Sequence, residues 1–298
     1  MTVIGAGLMG HGIGQVFARA GNAVVITDPN REVLDVALDR VRRNLEDEGV
    51  DPARVLCNMS TDADLASAVA GADLVIEAAP ERLELKQKLF ADVAQAAPRH
   101  AVLASNTSVI PITRIGEKLD ADARSRLLGT HWWNPPHLVP LVEVVRTEYT
   151  RMAVFDRTFA WLEAAGKRPV KVHQDVTGFI GNRLQHALWR EAIGLVEDGV
   201  CDAEAIDLVV KNSFGMRMPV LGPMENADLV GLELTRDVHR VMFPDLRRTT
   251  APSPLLDKLL GDGHTGMKSG QGLRTWTPEE ADAVRSDLAL HLMKMTSR

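Results

Sequence analysis

The fold of this chain is decided by the stretch VIGAGLMGHG, which occupies residues 3–12. Its first residues are apolar and β-branched, and glycines at positions 5, 7 and 10 then interrupt the run. From Ile13 to Ala20, apolar residues recur at helical spacing. This pattern predicts a strand, a tight turn and a helix whose first backbone N–H groups point at an anion.

Each glycine of the turn has a separate predicted role. Gly5 permits the tight turn, Gly7 lets the backbone approach a pyrophosphate, and Gly10 lets the helix pack closely on the strand. A second strand follows at Ala23–Thr27, and Asp28 comes directly after it. A carboxylate at this place accepts hydrogen bonds from the adenine ribose and repels a 2′-phosphate. The sequence therefore predicts a dinucleotide site that prefers NAD to NADP, whereas the structural alternative is a turn that merely needs positive φ.

Composition indicates a soluble globular protein with two domains. The chain has 298 residues, of which 45% are hydrophobic and 25% are charged. A net charge of −6 without a basic, aromatic-rich stripe argues against a nucleic-acid partner. No apolar run approaches the ~18 residues of a spanning helix, and residue 2 enters a strand rather than a signal peptide, so we expect no membrane partner. This abrupt start suggests a trimmed first strand.

The two cysteines, Cys57 and Cys201, stand far apart and lack metal-ligand spacing. They are best interpreted as reduced thiols, which predicts a cytoplasmic protein without a metal site.

Strand and helix patterns alternate along the first part of the chain. The predicted strands are 2–4, 23–27, 72–77, 101–104, 127–129, 141–145 and 169–172, and the longer predicted helices are 31–48, 83–97 and 152–165. A further short helix is predicted to be capped by Thr61-Asp62. After residue 175 helical periodicity takes over. We therefore predict an α/β fold: a Rossmann-type doubly wound NAD-binding domain at 1–174, followed by an all-α substrate and dimerisation domain at 175–298.

Taken together, the motifs resemble the L-3-hydroxyacyl-CoA dehydrogenase family. The matching segments are residues 5–10, SNTS at 105–108, PIT at 111–113, GTHWWNP at 129–135, PLVEVV at 140–145, GFIGNR at 178–183, GPME at 222–225, residues 228–232 and GMKSGQG at 266–272. The resemblance spans nearly the whole chain. It implies reversible NAD-dependent oxidation of an L-3-hydroxyacyl-CoA to a 3-ketoacyl-CoA in fatty acid metabolism, performed by a homodimer.

Oxidation of a secondary alcohol needs a base that removes the hydroxyl proton, and histidine titrates in the right range. His131 lies in a predicted loop after one strand, and Glu143 lies in the next strand, so returning strands would bring the two together. On residue type alone, any of the nine histidines is more often structural. The resemblance assigns His131 as the base and Glu143 as the residue that orients it.

The resemblance also implies the other site residues. Donors to the substrate oxygen are Ser108, Asn134 and Asn182, although serine and asparagine at such positions are more often structural caps. The implied NAD contacts are Gly5, Gly7, Leu8, Met9, Gly10, Asp28, Glu81, Lys86, Ser108, Asn134 and Lys268. An equal alternative for Lys86 is a helix-face lysine that pairs with Glu81 and Glu84.

The chain departs from the family pattern near the predicted base. Trp132-Trp133 stands where the family usually has Phe-Phe, and residues 273–276 replace a Gly-Phe-Tyr ending. The pattern HWxNPPH also resembles relatives that oxidise small carboxylated alcohols, including a pyridine-carboxylate dehydrogenase of pyridoxine catabolism. Three hypotheses therefore stay open: a CoA thioester substrate, a free hydroxy acid or aromatic alcohol, and a non-catalytic NAD(H)-binding sensor or structural protein.

Overall fold

Residues 1–296 are described in a computed structural model, and their strands form one eight-stranded sheet. The strands are β1 Thr2–Ile4, β2 Val24–Thr27, β3 Met59–Thr61, β4 Leu74–Glu77, β5 Val102–Ser105, β6 Leu127–Trp132, β7 Leu141–Val145 and β8 Arg168–Val172. Their spatial order is β3-β2-β1-β4-β5-β6-β7-β8, and every neighbouring pair is parallel except β6 with β7. Since strand order reverses direction at β1 and β4, the sheet is doubly wound.

The helices cover the sheet and then form the C-terminal part of the chain. They are α1 Gly10–Arg19, α2 Arg31–Asp35, α3 Ala37–Asp47, α4 Ala53–Leu56, α5 Leu65–Val69, α6 Leu83–Ala96, α7 Ile112–Ile115, α8 Ala121–Ser125, α9 Met152–Ala164, α10 Gly181–Glu197, α11 Ala203–Asn212, α12 Pro223–Val230, α13 Leu232–Met242, α14 Pro254–Gly261 and α15 Pro278–Thr296. Within residues 1–296, no helix is both long and apolar enough to cross a membrane.

The core lies on both faces of the sheet because the central parallel strands are apolar on both sides. One buried cluster includes Ile13 and Phe17 of α1, and a second includes Phe90 and Val93 of α6. All four residues of β4 are buried. The predicted Rossmann-type sheet with a helical C-terminal part is confirmed.

Several local predictions are wrong. The predicted helix 31–48 is two helices, because Val36, with φ −95° and ψ 0°, ends α2 and begins α3. The short edge strand β3 was not predicted, and α5 is capped by Asp64, whose carboxylate accepts the Ser67 N–H, rather than by Thr61-Asp62. Strand β6 continues to Trp132, since its antiparallel pairing with β7 holds residues that were assigned to a loop.

The chain divides into two compact units. The first comprises Met1–Arg183 together with the C-terminal residues from Leu288, and the second comprises Leu184–Asp287. The first contains the sheet, and the regular elements of the second are helices. The domain boundary at 174/175 stays a prediction.

Candidate active site

The turn between β1 and α1 requires glycine at two positions. Gly5 has φ +98°, and a Cβ there would lie 2.7 Å from the Ala78 carbonyl oxygen. A Cβ at Gly10 would lie 1.6 Å from the Gly5 oxygen. A Cβ at Gly7 would meet no atom within 4 Å, so this backbone is open to the approach of a phosphate. The turn therefore fits the diphosphate of a dinucleotide at the N-terminus of a ten-residue helix.

Asp28 is fixed at the carboxyl end of β2. Its Oδ2 accepts the Ala6 N–H at 2.8 Å, and its Oδ1 accepts the Asn30 N–H at 2.8 Å. The first bond ties the carboxylate to the glycine turn. This arrangement fits recognition of a ribose that carries free hydroxyls.

The predicted base and its partner lie opposite each other on antiparallel strands. His131 of β6 is paired in register with Glu143 of β7, and His131 Nδ1 lies 2.7 Å from Glu143 Oε2. Both residues are at least 97% buried. The second carboxylate oxygen, Oε1, accepts N–H groups of Ile180 at 2.8 Å and Gly181 at 3.0 Å. Strands β6 and β7 and the start of α10 thus meet at one carboxylate.

These hydrogen bonds decide the charge of Glu143. Burial raises the pKa of this carboxyl and is the largest single influence. The bonds from His131, Gly181 and Ile180 together outweigh it, so the pKa of Glu143 lies below its ordinary value. Because an ionised carboxylate only accepts hydrogen bonds, His131 Nδ1 carries the proton in this contact, and Nε2 is the ring nitrogen that does not contact Glu143.

Aromatic rings enclose the imidazole. The centroid of the His131 ring lies 5.3 Å from that of Trp133 and 5.6 Å from that of Phe179. Trp133 also covers Gly181, where a Cβ would lie 2.3 Å from its Cζ2 atom. Its Nε1 is enclosed and has no hydrogen-bond partner in the part of the chain that the structure describes. Trp133 therefore occupies the wall beside the predicted base.

Ser108 is held from two sides. Asn182 Nδ2, in the first turn of α10, donates to the Ser108 carbonyl oxygen at 2.9 Å. Glu81 Oε1 accepts the backbone N–H groups of Ser108 at 3.0 Å and Val109 at 3.1 Å, and the Thr107 hydroxyl at 2.5 Å. The turn after β5 is therefore connected both to α10 and to the loop after β4.

Glu81 is ionised for similar reasons. Burial opposes its charge most strongly, but the bonds from Thr107, Val109 and Ser108 and the nearby Lys86 lower its pKa.

Lys86 lies inside the molecule. It is 1% exposed, and its Nζ donates to Glu77 Oε1 at 2.6 Å and to the Ala79 carbonyl oxygen at 3.1 Å. Glu81 Oε2 lies 3.4 Å away. The alternative of an exposed helix-face lysine is therefore wrong, because Lys86 is buried and its main partner is Glu77 rather than Glu84. The alternative is correct only in predicting that Lys86 pairs with Glu81. A direct contact between Lys86 and NAD stays a prediction.

Asn134 and Lys268 are among the predicted residues that the described contacts do not join to this network. Asn134 is exposed in the loop that follows β6. In the same loop, Lys167 Nζ donates hydrogen bonds to the carbonyl oxygens of Pro136 at 2.5 Å and Val139 at 2.9 Å. Lys268 lies in the second unit, in a 3-10 turn at Met267–Ser269. The roles of both residues stay predictions.

Sequence reasoning missed Glu77 and Phe179. Glu77 ends the apolar run of β4, and a lone carboxylate at the end of a buried strand was a usable signal. Its Oε2 accepts the Ser105 hydroxyl at 2.6 Å, which joins β4 to β5. Phe179 carried no such signal, because an apolar residue in an apolar motif looks like ordinary core.

Comparison with known proteins gives a consistent result. Two protein-family models match the chain: "3-hydroxyacyl-CoA dehydrogenase, NAD binding domain" at residues 1–176 and "3-hydroxyacyl-CoA dehydrogenase, C-terminal domain" at residues 178–276. The chain is 35% identical to the 5-formyl-3-hydroxy-2-methylpyridine 4-carboxylate 5-dehydrogenase of Mesorhizobium japonicum, over 98% of this chain and 96% of the relative. It is 37% identical to the human mitochondrial hydroxyacyl-coenzyme A dehydrogenase, over 91% of this chain and 89% of the relative.

Solved structures agree with these relatives. A crystal structure of the pyridine-carboxylate 5-dehydrogenase, described as an NAD⁺ dependent dismutase, has a TM-score of 0.90 at 33% identity and covers 98% of this chain and 96% of that chain. The (S)-3-hydroxybutyryl-CoA dehydrogenase of Ralstonia eutropha has a TM-score of 0.76 at 28% identity, with 93% and 98% covered.

The fold, the glycine turn and these relatives define an NAD-dependent oxidoreductase. More particularly, the chain belongs to the 3-hydroxyacyl-CoA dehydrogenase family. The predictions of the family and of NAD as cofactor are confirmed.

Proposed function

We propose that the protein reversibly oxidises the 3-hydroxyl of an L-3-hydroxyacyl-CoA, with His131 as the acid/base. The observation that carries this proposal is the buried contact of 2.7 Å between His131 Nδ1 and Glu143 Oε2. It leaves Nε2 as the nitrogen that exchanges a proton, and it places a negative charge behind the imidazole. These are the requirements of general base catalysis at neutral pH.

In the oxidation, His131 Nε2 takes the hydroxyl proton, and Glu143 stabilises the imidazolium that forms. NAD, when bound, supplies the acceptor of the carbinol hydride. We assign Ser108, Asn134 and Asn182 to the substrate oxygen, where donors favour the developing carbonyl. In the reverse direction His131 returns the proton to the oxygen.

A cationic cavity beside the glycine turn supports a CoA thioester as substrate. The cavity has a volume of about 460 Å³ and is lined by Leu8, His11, Arg40, Arg43, Asn44 and Asp47. Arg40 Nη1 also donates to the Ala6 carbonyl oxygen at 3.3 Å. Two guanidinium groups suit the phosphates of CoA. By contrast, Arg42 lies 3.9 Å from Asp39 on the same helix, and Arg54 lies 3.7 Å from Asp51, which lies just before its helix. Arg40 and Arg43 are therefore the better candidates.

A free carboxylated alcohol or aromatic alcohol is the second candidate substrate. In its favour, the TM-score of 0.90 with the pyridine-carboxylate dehydrogenase exceeds the 0.76 with the 3-hydroxybutyryl-CoA dehydrogenase. The indole of Trp133 beside His131 also narrows the space that a flexible acyl chain would use.

We also propose that the enzyme acts in the cytoplasm as a homodimer formed through its second unit. In support of dimerisation, this unit exposes large apolar side chains: Val220 is 88% exposed, Val241 75% and Met224 74%. Exposed apolar surface of this kind is typical of interaction sites.

Parallel assays of NADH oxidation test the proposal. Acetoacetyl-CoA, free acetoacetate and an aromatic aldehyde bearing a carboxylate are compared at equal concentrations. We expect kcat/KM for the thioester to be at least about 100-fold higher than for the free acids, because charge-assisted bonds to CoA phosphates each contribute roughly tenfold or more.

The Arg40→Ala and Arg43→Ala variants sharpen the substrate assignment. Each should raise KM for acetoacetyl-CoA. Arg43→Ala should leave the Kd for NADH unchanged, whereas Arg40→Ala also removes the bond to the Ala6 carbonyl of the glycine turn, so Arg43→Ala is the variant that separates the two ligands. Arg54→Ala is the matched control on a neighbouring helix. If the enzyme turns over the free acids but not acetoacetyl-CoA, the CoA thioester is excluded as substrate and the free carboxylated alcohol takes its place. Binding of NADH without turnover of any compound would favour the sensor hypothesis.

A further inference from the structure

The turn before α10 contains an unusual backbone conformation. Phe179 has φ +49° and is the only non-glycine residue with positive φ in the described chain, residues 1–296. It follows Gly178, which has φ +74°. An L-residue with a bulky side chain rarely adopts this conformation, and such residues cluster at functional sites where the surroundings hold them.

This conformation directs two donors at the predicted site. The residues directly after Phe179 are Ile180 and Gly181, whose N–H groups both donate to Glu143 Oε1. In this turn, two residues with positive φ directly precede the two N–H groups that converge on one oxygen, as in an anion-binding nest. If residue 179 returned to negative φ, these two N–H groups would point away from Glu143.

The side chain of Phe179 supplies what holds the strained backbone. The residue is 1% exposed, and its ring belongs to the core cluster that contains Phe90, Leu103 and Ile112. One side of the ring lies against His131, at 5.6 Å between centroids. One residue therefore touches the histidine with its ring and orients the carboxylate through its backbone.

We propose that Phe179 is a positioning residue for the His131–Glu143 pair: its buried ring keeps the left-handed backbone that aims the Ile180 and Gly181 N–H groups at Glu143. The proposal rests on the proposed function, since it acts through that pair. It assigns to an apolar core residue a role in setting the charge and orientation of a carboxylate.

Two substitutions at this position separate the backbone from the ring. Phe179→Ala and Phe179→Gly remove the same ring, but only glycine adopts the left-handed conformation without cost. We expect Phe179→Ala to lower kcat by roughly 10- to 100-fold, the usual effect of losing a group that orients a functional side chain. Phe179→Gly should retain roughly tenfold more of kcat than Phe179→Ala, the ratio that corresponds to the backbone preference.

The pH profile gives a readout that a merely structural role would not move. The Ile180 and Gly181 N–H groups are among the hydrogen-bond donors that lower the pKa of Glu143, so the pKa of this carboxyl rises without them. The acid limb of kcat should therefore move to higher pH in Phe179→Ala and stay in place in Phe179→Gly. The Kd for NADH, measured by fluorescence, should be unchanged in both and shows that the variants are folded.

Phe90→Ala is the matched control, since Phe90 is 0% exposed in the same core cluster. It should lower the melting temperature without moving the acid limb. Equal kcat in the alanine and glycine variants, or an unmoved acid limb in Phe179→Ala, would overturn the proposal. Failure of the proposed function looks different, because the wild-type protein would then turn over none of the substrates.

Discussion

The two compact units differ in how completely they bury their own apolar side chains. In the first unit, β1, β4, β5 and β6 consist entirely of buried residues. In the second unit, α11, α12, α13 and α14 have no buried residue. The first unit therefore buries the apolar side chains of its central strands, whereas these helices of the second unit leave large apolar side chains exposed.

A buried ion pair of the first unit differs in the same way from exposed ion pairs of the second. Lys86 and Glu77 form an ion pair whose side chains are 1% and 0% exposed. The pairs that Asp237 forms with Arg236 and Arg240 have side chains more than half exposed. The buried Lys86–Glu77 pair thus has no solvent to replace it, and the predictions below compare matched changes in the two units.

The largest effect is expected from Glu143→Gln. This change keeps the shape of the side chain but removes the charge that stabilises the His131 imidazolium, so kcat should fall by roughly 10²- to 10⁴-fold. The control is Glu225→Gln in the second unit, because Glu225 also accepts a backbone N–H, from Gly222 at 2.7 Å, but is exposed. Steady-state NADH oxidation measures kcat for both variants. Equal kcat values in Glu143→Gln and Glu225→Gln would contradict the proposed difference between the two carboxylates.

Removing one member of the buried ion pair should strongly reduce stability. Lys86→Met leaves Glu77 buried without its cation, so we expect the free energy of unfolding to fall by about 3–5 kcal/mol. Arg240→Met removes an exposed partner and should cost less than about 1 kcal/mol. Urea unfolding followed by circular dichroism compares them, and a similar small loss in both would show that the Lys86 site is hydrated.

His137 should make the first unit sensitive to acid. Burial, with His11 and Lys167 nearby, lowers the pKa of His137 from 6.5 to about 4. Between these pH values the unfolded chain binds a proton that the folded chain does not, so stability falls as pH falls from 6.5 to 4, by up to about 3 kcal/mol. His137→Gln should flatten this part of the stability profile.

The control for this pH effect is His239→Gln, because His239 is exposed in the second unit. Thermal melts between pH 4 and 7 give the profiles. The interpretation is wrong if the wild-type and His137→Gln profiles stay parallel across this range.

The smallest effect on the isolated chain is expected at the exposed apolar face. Val241→Glu changes a residue that is 75% exposed, so it should hardly alter the unfolding of a monomer but should weaken a dimer by tenfold or more in Kd, roughly 1.4 kcal/mol. Val170→Glu, at a residue 41% exposed on β8, is the control. Sedimentation velocity measures the masses of the variants. If Val241→Glu forms a dimer as stable as that of the wild type, the face around Val241 is excluded as the dimer interface.

The sequence predicted those features that depend on local chemistry. The glycine turn was predictable because Gly5 and Gly10 meet backbone atoms that no side chain tolerates. The pairing of His131 with Glu143 followed from the motifs and from two consecutive strands, and the structure places them in register.

Features that depend on distant partners were not predictable. The burial of Lys86 depends on Glu77, which lies on another element, and helical spacing alone suggested a partner on the same surface. The positive φ of Phe179 depends on the packing of its ring, for which the residue type gives no signal. The break between α2 and α3 at Val36 was also not predictable, because valine continues the apolar pattern of the predicted helix.

The central claim is that His131 exchanges the proton, and single-site replacement tests it most directly. His131→Gln keeps a polar side chain but supplies no base, so kcat for acetoacetyl-CoA and NADH should fall by about 10³-fold or more, within the range attributed to acid/base groups. The Kd for NADH should stay within about twofold of the wild-type value, because the glycine turn is untouched. A variant that binds NADH normally and turns over at a rate close to wild type would contradict the account.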